Sequence, residues 1–133
     1  MLRKSWLILL LLLGACATVP PAIPPGKAAV HLYRRAIPIG PASLSVFDGG
    51  SPIGTLPVGS YLDYFAAPGP HVFMAAAPGT GSIPYATSLV TGQTYYFMVY
   101  ILGDQQRGNA TIAEVDEATA AKQMGSLKPV INP

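Results

Sequence analysis

Glycine and proline, 14 of each in 133 residues, divide this chain into short apolar runs, and that punctuation limits the fold more than any other feature. Strands joined by tight reversals tolerate such spacing, whereas helices do not. From Ala28 onward the runs predict strands over Ala29 to Arg35, Ser43 to Phe47, Ile53 to Leu56, Tyr61 to Phe65, His71 to Ala76, Tyr85 to Val90, Thr94 to Leu102 and Asn109 to Val115. The Asp48-Gly49 dipeptide, followed by Gly50, predicts a type I′ hairpin turn, which needs positive φ at two positions. Pro68-Gly69 and Thr91-Gly92 mark further reversals. The expected fold is all-β, a small sandwich of about seven to eight mainly antiparallel strands with a short C-terminal helix.

The segment Thr94 to Leu102 is apolar on both faces and belongs in the middle of a sheet. Its outer face then needs a cover. Asp116 is placed to cap a helix from Glu117 to Met124, ended by Gly125, with Glu117 and Lys122 at the ends that the helix dipole favours. Val115, Ala118 and Met124 are its expected buried positions.

Ahead of this domain, Arg3 and Lys4, the apolar run Trp6 to Leu13 and the small pair Gly14-Ala15 make a signal sequence. Ser5 to Ala15 is too short to span a bilayer, which takes roughly 20 apolar residues. With Cys16 directly after the small pair, Leu13-Gly14-Ala15-Cys16 resembles the lipobox of bacterial lipoproteins. That resemblance implies a helical signal peptide over residues 1–15, a diacylglyceryl group on the Cys16 thiol and cleavage between Ala15 and Cys16. Residues 16–27, rich in proline, form an extended tether, which at about 3.1 Å per residue holds the domain roughly 30 Å from the membrane. The domain is expected over 28–127, with 128–133 as a tail.

The formal charge of +2 includes the signal. Without Arg3 and Lys4, the basic residues Lys27, Arg34, Arg35, Arg107, Lys122 and Lys128 balance Asp48, Asp63, Asp104, Glu114, Asp116 and Glu117. A neutral chain whose only basic cluster is Arg34-Arg35 argues against nucleic acid as a partner. Cys16 is the sole cysteine, so no disulfide forms within the chain.

Two longer motifs run from Gly59-Ser60-Tyr61 to Phe65-Ala66-Ala67-Pro68-Gly69-Pro70-His71 and over Leu89-Val90-Thr91-Gly92-Gln93-Thr94-Tyr95-Tyr96-Phe97, with Ser45 to Gly49 and Ile53-Gly54 upstream. Together they resemble the bacterial lipoprotein family known as domain of unknown function 2846, itself similar to PEGA-type β-sandwich repeats. The resemblance covers roughly Ala28 to Leu127. It implies a fold and a location but carries no activity and no catalytic residues.

For metal chemistry, His31 and His71 would have to converge with a carboxylate such as Asp63, and their spacing gives no ligand pattern. No Gly-x-Ser-x-Gly elbow is present, and Glu114, Asp116 and Glu117 sit where a strand end and a helix start favour acids anyway. No catalytic residue, metal or cofactor is expected. Seven tyrosines are many for this length, and tyrosine anchors interfaces at low entropic cost. Tyr96 and Tyr100 are therefore the expected binding surface, unless the C-terminal helix covers them.

The expectation is a non-catalytic binding or envelope-assembly module, held to the membrane by the lipid on Cys16 and meeting an unknown envelope protein or cell-wall component. Ala17 stands where an Asp would signal inner-membrane retention, which points to the periplasmic face of the outer membrane. The alternatives are an anchoring subunit of a secretion machine and a periplasmic hydrolase or metal-dependent enzyme.

Overall fold

A computed structural model describes residues 22–103 and 108–130. Ala15, Cys16, the signal peptide and the start of the tether lie outside the described residues, as do 131–133. The elements in chain order are β1 (Ala28–Arg34), β2 (Ser43–Asp48), β3 (Ser51–Pro57), β4 (Ser60–Ala66), β5 (Gly69–Ala76), β6 (Gly81–Ser82), β7 (Tyr85–Leu89), β8 (Thr94–Leu102), β9 (Asn109–Val115), α1 (Glu117–Met124) and β10 (Lys128–Pro129). They form an all-β sandwich. One sheet has the order β10-β4-β1-β8-β9-β6 and the other β3-β2-β5-β7.

All eight expected strands are present, and two were not expected. β6 pairs in parallel with β9, and β10 pairs in parallel with β4, so part of the segment expected as a tail closes one edge of the larger sheet. Two-residue strands carry no periodicity, which is why pattern alone misses them. Pairing is mainly antiparallel, but the two middle strands of the larger sheet, β1 and β8, run parallel, with Leu32 opposite Phe97.

Alternation sorts side chains between the faces. Val30, Leu32, Leu62, Phe97, Val99 and Ile112 from the larger sheet meet Leu44, Val46, Leu56, Phe73, Ala75 and Leu89 from the smaller one. Phe97 is at the centre. Its ring is fully buried, with Phe73 at 5.4 Å and 48°, Tyr85 at 5.4 Å and 61°, and Tyr95 at 6.2 Å between centroids. Tilted and edge-on aromatic pairs at such distances add to the gain from buried area.

The hairpin after β2 turns on Gly49 (φ 58°) and Gly50 (φ 86°), while Asp48 stays in the strand opposite Ser51. The turn sits one residue later than the Asp48-Gly49 pair suggests, because both central positions need positive φ and two glycines meet that at least strain. α1 is capped as expected, the Asp116 carboxylate accepting from the Thr119 amide at 2.6 Å. Its buried face differs from the expected one. Ala120 is fully buried, Thr119, Gln123 and Met124 are half-buried, and Ala118 faces solvent. The reason is polar: the Tyr33 hydroxyl, on the outer face of β1, donates to Gln123 Oε1, and this fixes the rotation of the helix. Gly125 is right-handed, at φ −57°, so its place after the helix does not use glycine's freedom.

The sheet edges are unequal. β3 carries Pro52 and Pro57 and lies against a register shift at Val46/Phe47, and β10 carries Lys128 and Pro129. β7 has none of these devices, which natural edges use to block further pairing. The Val72 carbonyl is turned toward β2, where it accepts from Gly49 N at 2.9 Å. By antiparallel alternation, Ala86 opposite Val72 and Ser88 opposite Pro70 turn their amides to the free side.

Phe97→Ala should lower the unfolding free energy of a fragment from Gly26 to Pro133 by about 3–5 kcal/mol, the usual cost of emptying a buried phenylalanine site. Denaturant titration followed by circular dichroism measures it. A loss below about 1 kcal/mol would mean that the ring is not packed as described.

Candidate binding surface

Register places a polar row across the outer face of the larger sheet. His31 of β1 lies opposite Asp63 of β4 on one side and Tyr96 of β8 on the other. His31 Nδ1 meets Asp63 Oδ1 at 2.5 Å, and its ring stacks on Tyr96 at 5.0 Å between centroids and 20° between planes. Tyr61 and Tyr33 form the adjacent row, also directly opposite one another. α1 crosses this face and removes Tyr33 entirely from solvent. Beside the helix a shallow groove remains, lined by His31, Tyr61, Asp63, Tyr96, Ala121 and Met124. Phe65, on the same face of β4, is 44% exposed.

Tyr96 and Tyr100 are both half-buried on this outer face. They do not share one depression: Tyr96 borders the groove beside α1, whereas Tyr100 lines a separate pocket with Arg35, Ile37 and Met98. Burial and the charges of Glu117 and Asp63 raise the Tyr96 pKa above 10, so its hydroxyl stays protonated and able to donate at neutral pH. The other tyrosines serve the fold: Tyr64, Tyr85 and Tyr95 pack against the core, and the Tyr95 hydroxyl accepts from Val90 N at 2.9 Å.

The two histidines do not converge. His71 is on the inner face of β5, at the end of the sandwich where β1 begins, and its partner is Asp48 of β2. His71 Nδ1 lies 2.9 Å from both Asp48 oxygens, Nε2 lies 2.6 Å from the Ala67 carbonyl, and Tyr64 donates to Asp48 Oδ2 at 3.0 Å. Since Tyr64 belongs to β4, this cluster ties the two sheets together. A carbonyl only accepts, so Nε2 carries a proton, and a carboxylate facing Nδ1 calls for a second. Burial pulls the His71 pKa down, but the hydrogen bonds that it donates to Asp48 and to the Ala67 carbonyl, together with the Asp48 charge, outweigh it and hold it above 6.5. No pattern in the sequence marks this cluster, because Asp48 reads as a turn residue and Tyr64 as one strand tyrosine among many.

Among the described residues no group of three or more His, Cys, Asp or Glu is placed to hold a metal ion, and no helix is long and apolar enough to cross a membrane. Asp116 is committed to capping α1, which removes it from any pairing with Glu114 or Glu117. Comparisons with protein families, with curated proteins and with solved structures return no match for this chain.

A histidine whose folded pKa is raised stabilises the fold fully below its unfolded value and loses that contribution as pH rises through the folded one. Melting temperature should therefore fall as pH climbs from 6.5 upward. His71→Gln should flatten the profile across that window. A wild-type profile already flat there would mean that the Asp48 pair is not ionic.

Proposed function

We propose that this chain is an acylated lipoprotein of the domain-of-unknown-function 2846 type, anchored at Cys16 to the outer membrane, facing the periplasm and acting as a non-catalytic binding or assembly module. The observation that carries the binding reading is the half-open outer face. An eight-residue helix roofs only part of it, leaving the row Asp63–His31–Tyr96 beside Tyr61 and Phe65. Half-buried aromatics flanked by one hydrogen-bonded histidine–aspartate pair make a surface that gains area on contact and orients its partner through a few polar groups. The anchor rests on the lipobox, and the open side of the domain suits an envelope protein or a cell-wall component.

An enzymatic reading has one point in its favour, the close His31–Asp63 pair. A hydrolase would need a nucleophile beside the imidazole, and the groove around it offers only the hydroxyls of Tyr61 and Tyr96. Anchoring a secretion machine remains a special case of the assembly role, distinguished by what the surface captures.

Two experiments test the proposal. A clickable palmitate analogue should label the wild type, and Cys16→Ser should lose the label and leave the membrane fraction while folding normally. A photo-crosslinker at Phe65 in whole cells should yield a discrete adduct, and Tyr96→Ala should reduce that yield on the order of tenfold, as expected for a central aromatic anchor. An unchanged yield from folded Tyr96→Ala protein would remove this face from the proposal.

A further inference from the structure

The only basic cluster of the mature chain, Arg34-Arg35, is split between two roles by strand alternation. Arg34 turns inward and is 3% exposed. Its guanidinium donates to the carbonyls of Leu56 at 3.3 Å, Ile39 at 3.1 Å and Pro41 at 2.6 Å. A buried cation held only by hydrogen bonds to backbone carbonyls is an expensive way to hold a loop, and what it holds is the segment after β1. Within it Ile39 N donates to Ile37 O at 2.8 Å, and Gly40, at φ 84°, passes so close to β8 that a Cβ there would lie 2.7 Å from Ile101 Cγ1. The segment is thus a fixed wall. It presents Ile37 and Ile39 to solvent, 43% and 38% exposed.

Between this wall and the end of β8 is a pocket of about 230 Å³, lined by Arg35, Ile37, Ile39, Met98, Tyr100 and Ile101 among others. Arg35 and Ile37 also border a second, more polar depression with Lys122 and Gln123 of α1. The two adjoin, one apolar and one cationic. Among the described residues no carboxylate lines either, and Arg35 has no ion-pair partner.

We propose that this paired depression binds a short aliphatic carboxylate, with its head between Arg35 and Lys122 and its tail over Ile37, Met98, Tyr100 and Ile101. Charge fixes the head, because the only charged side chains that border the polar part among the described residues, Arg35 and Lys122, are both cationic. Size fixes the tail, because about 230 Å³ is below the roughly 300–1,000 Å³ of pockets for drug-sized ligands and holds one short chain. The part that holds the tail is lined mainly by the apolar side chains of Ile37, Ile39, Met98 and Ile101, which suits an aliphatic chain better than the amides of a peptide C-terminus. The site lies at the end of the sandwich opposite the start of β1, away from the tether, and is separate from the groove at His31.

The test uses the mature chain carrying Cys16→Ser, which has no acyl group, with sodium octanoate as probe and methyl NMR of Ile37, Ile39, Met98 and Ile101 as readout. Octanoate should shift these methyls saturably and bind at least tenfold more tightly than neutral octanamide. Arg35→Gln alters an exposed residue and leaves the core intact, so it should weaken octanoate about tenfold and abolish the preference over octanamide. Equal binding of octanoate and octanamide by the wild type overturns the proposal, as does undiminished octanoate binding by Arg35→Gln, displacement by sulfate at constant ionic strength, or tighter binding of an acetylated tripeptide ending in leucine.

Discussion

The parallel pairing of β1 with β8 is the constraint from which the rest of the sandwich follows. Parallel neighbours cannot be joined by a tight hairpin, so the chain leaving β1 at Arg34 must return to the opposite end before Thr94 can start β8. What it builds on the way is the smaller sheet together with β4 and β6. β1 packs its inner face on that smaller sheet and is covered at Tyr33 by α1 on its outer face, and six of its seven residues are buried. A strand so enclosed tolerates almost no polar side chain. The exceptions, His31 and Arg34, each point to a place where the chain does something other than fill space.

The two histidine–aspartate pairs show how position changes the meaning of one chemical unit. His71 and Asp48 face inward, with both ring nitrogens committed and a tyrosine from the opposite sheet joining them. Their geometry resembles that of a catalytic dyad, yet both ring nitrogens are already taken, one by Asp48 and the other by the Ala67 carbonyl. His31 and Asp63 have the same atoms at a shorter distance, but on an open face beside stacked aromatics. The inner pair contributes to holding the sheets together. The outer pair stays accessible to solvent.

The strand pattern was legible because each of the eight longer strands is a short apolar or alternating run set off by nearby glycine or proline. Thr94 to Leu102 and the helix from Glu117 to Met124 matched to the residue. The rotation of α1 was not legible, since it depends on a hydrogen bond between Gln123 and a tyrosine 90 positions earlier. The same holds for the candidate sites. Tyr96 was accessible to sequence reasoning as part of a tyrosine-rich strand, whereas its alignment with His31 and Asp63 follows from a parallel register that no local pattern encodes. Arg34 and Arg35 were visible as a pair, but which of them turned inward depended on the phase of β1.

The unguarded edge at β7 bears on how this protein behaves in bulk. Every other rim of the two sheets is short, bulged or proline-bearing, whereas β7 offers five uncharged residues with the amides of Ala86 and Ser88 turned outward. Exposed Val72, Ile83 and Val90 flank it, so an added strand would cover apolar surface as well as complete a ladder. The colloidal limit of the domain, the concentration above which molecules begin to join sheet to sheet, is therefore set along this one rim rather than by its overall hydropathy.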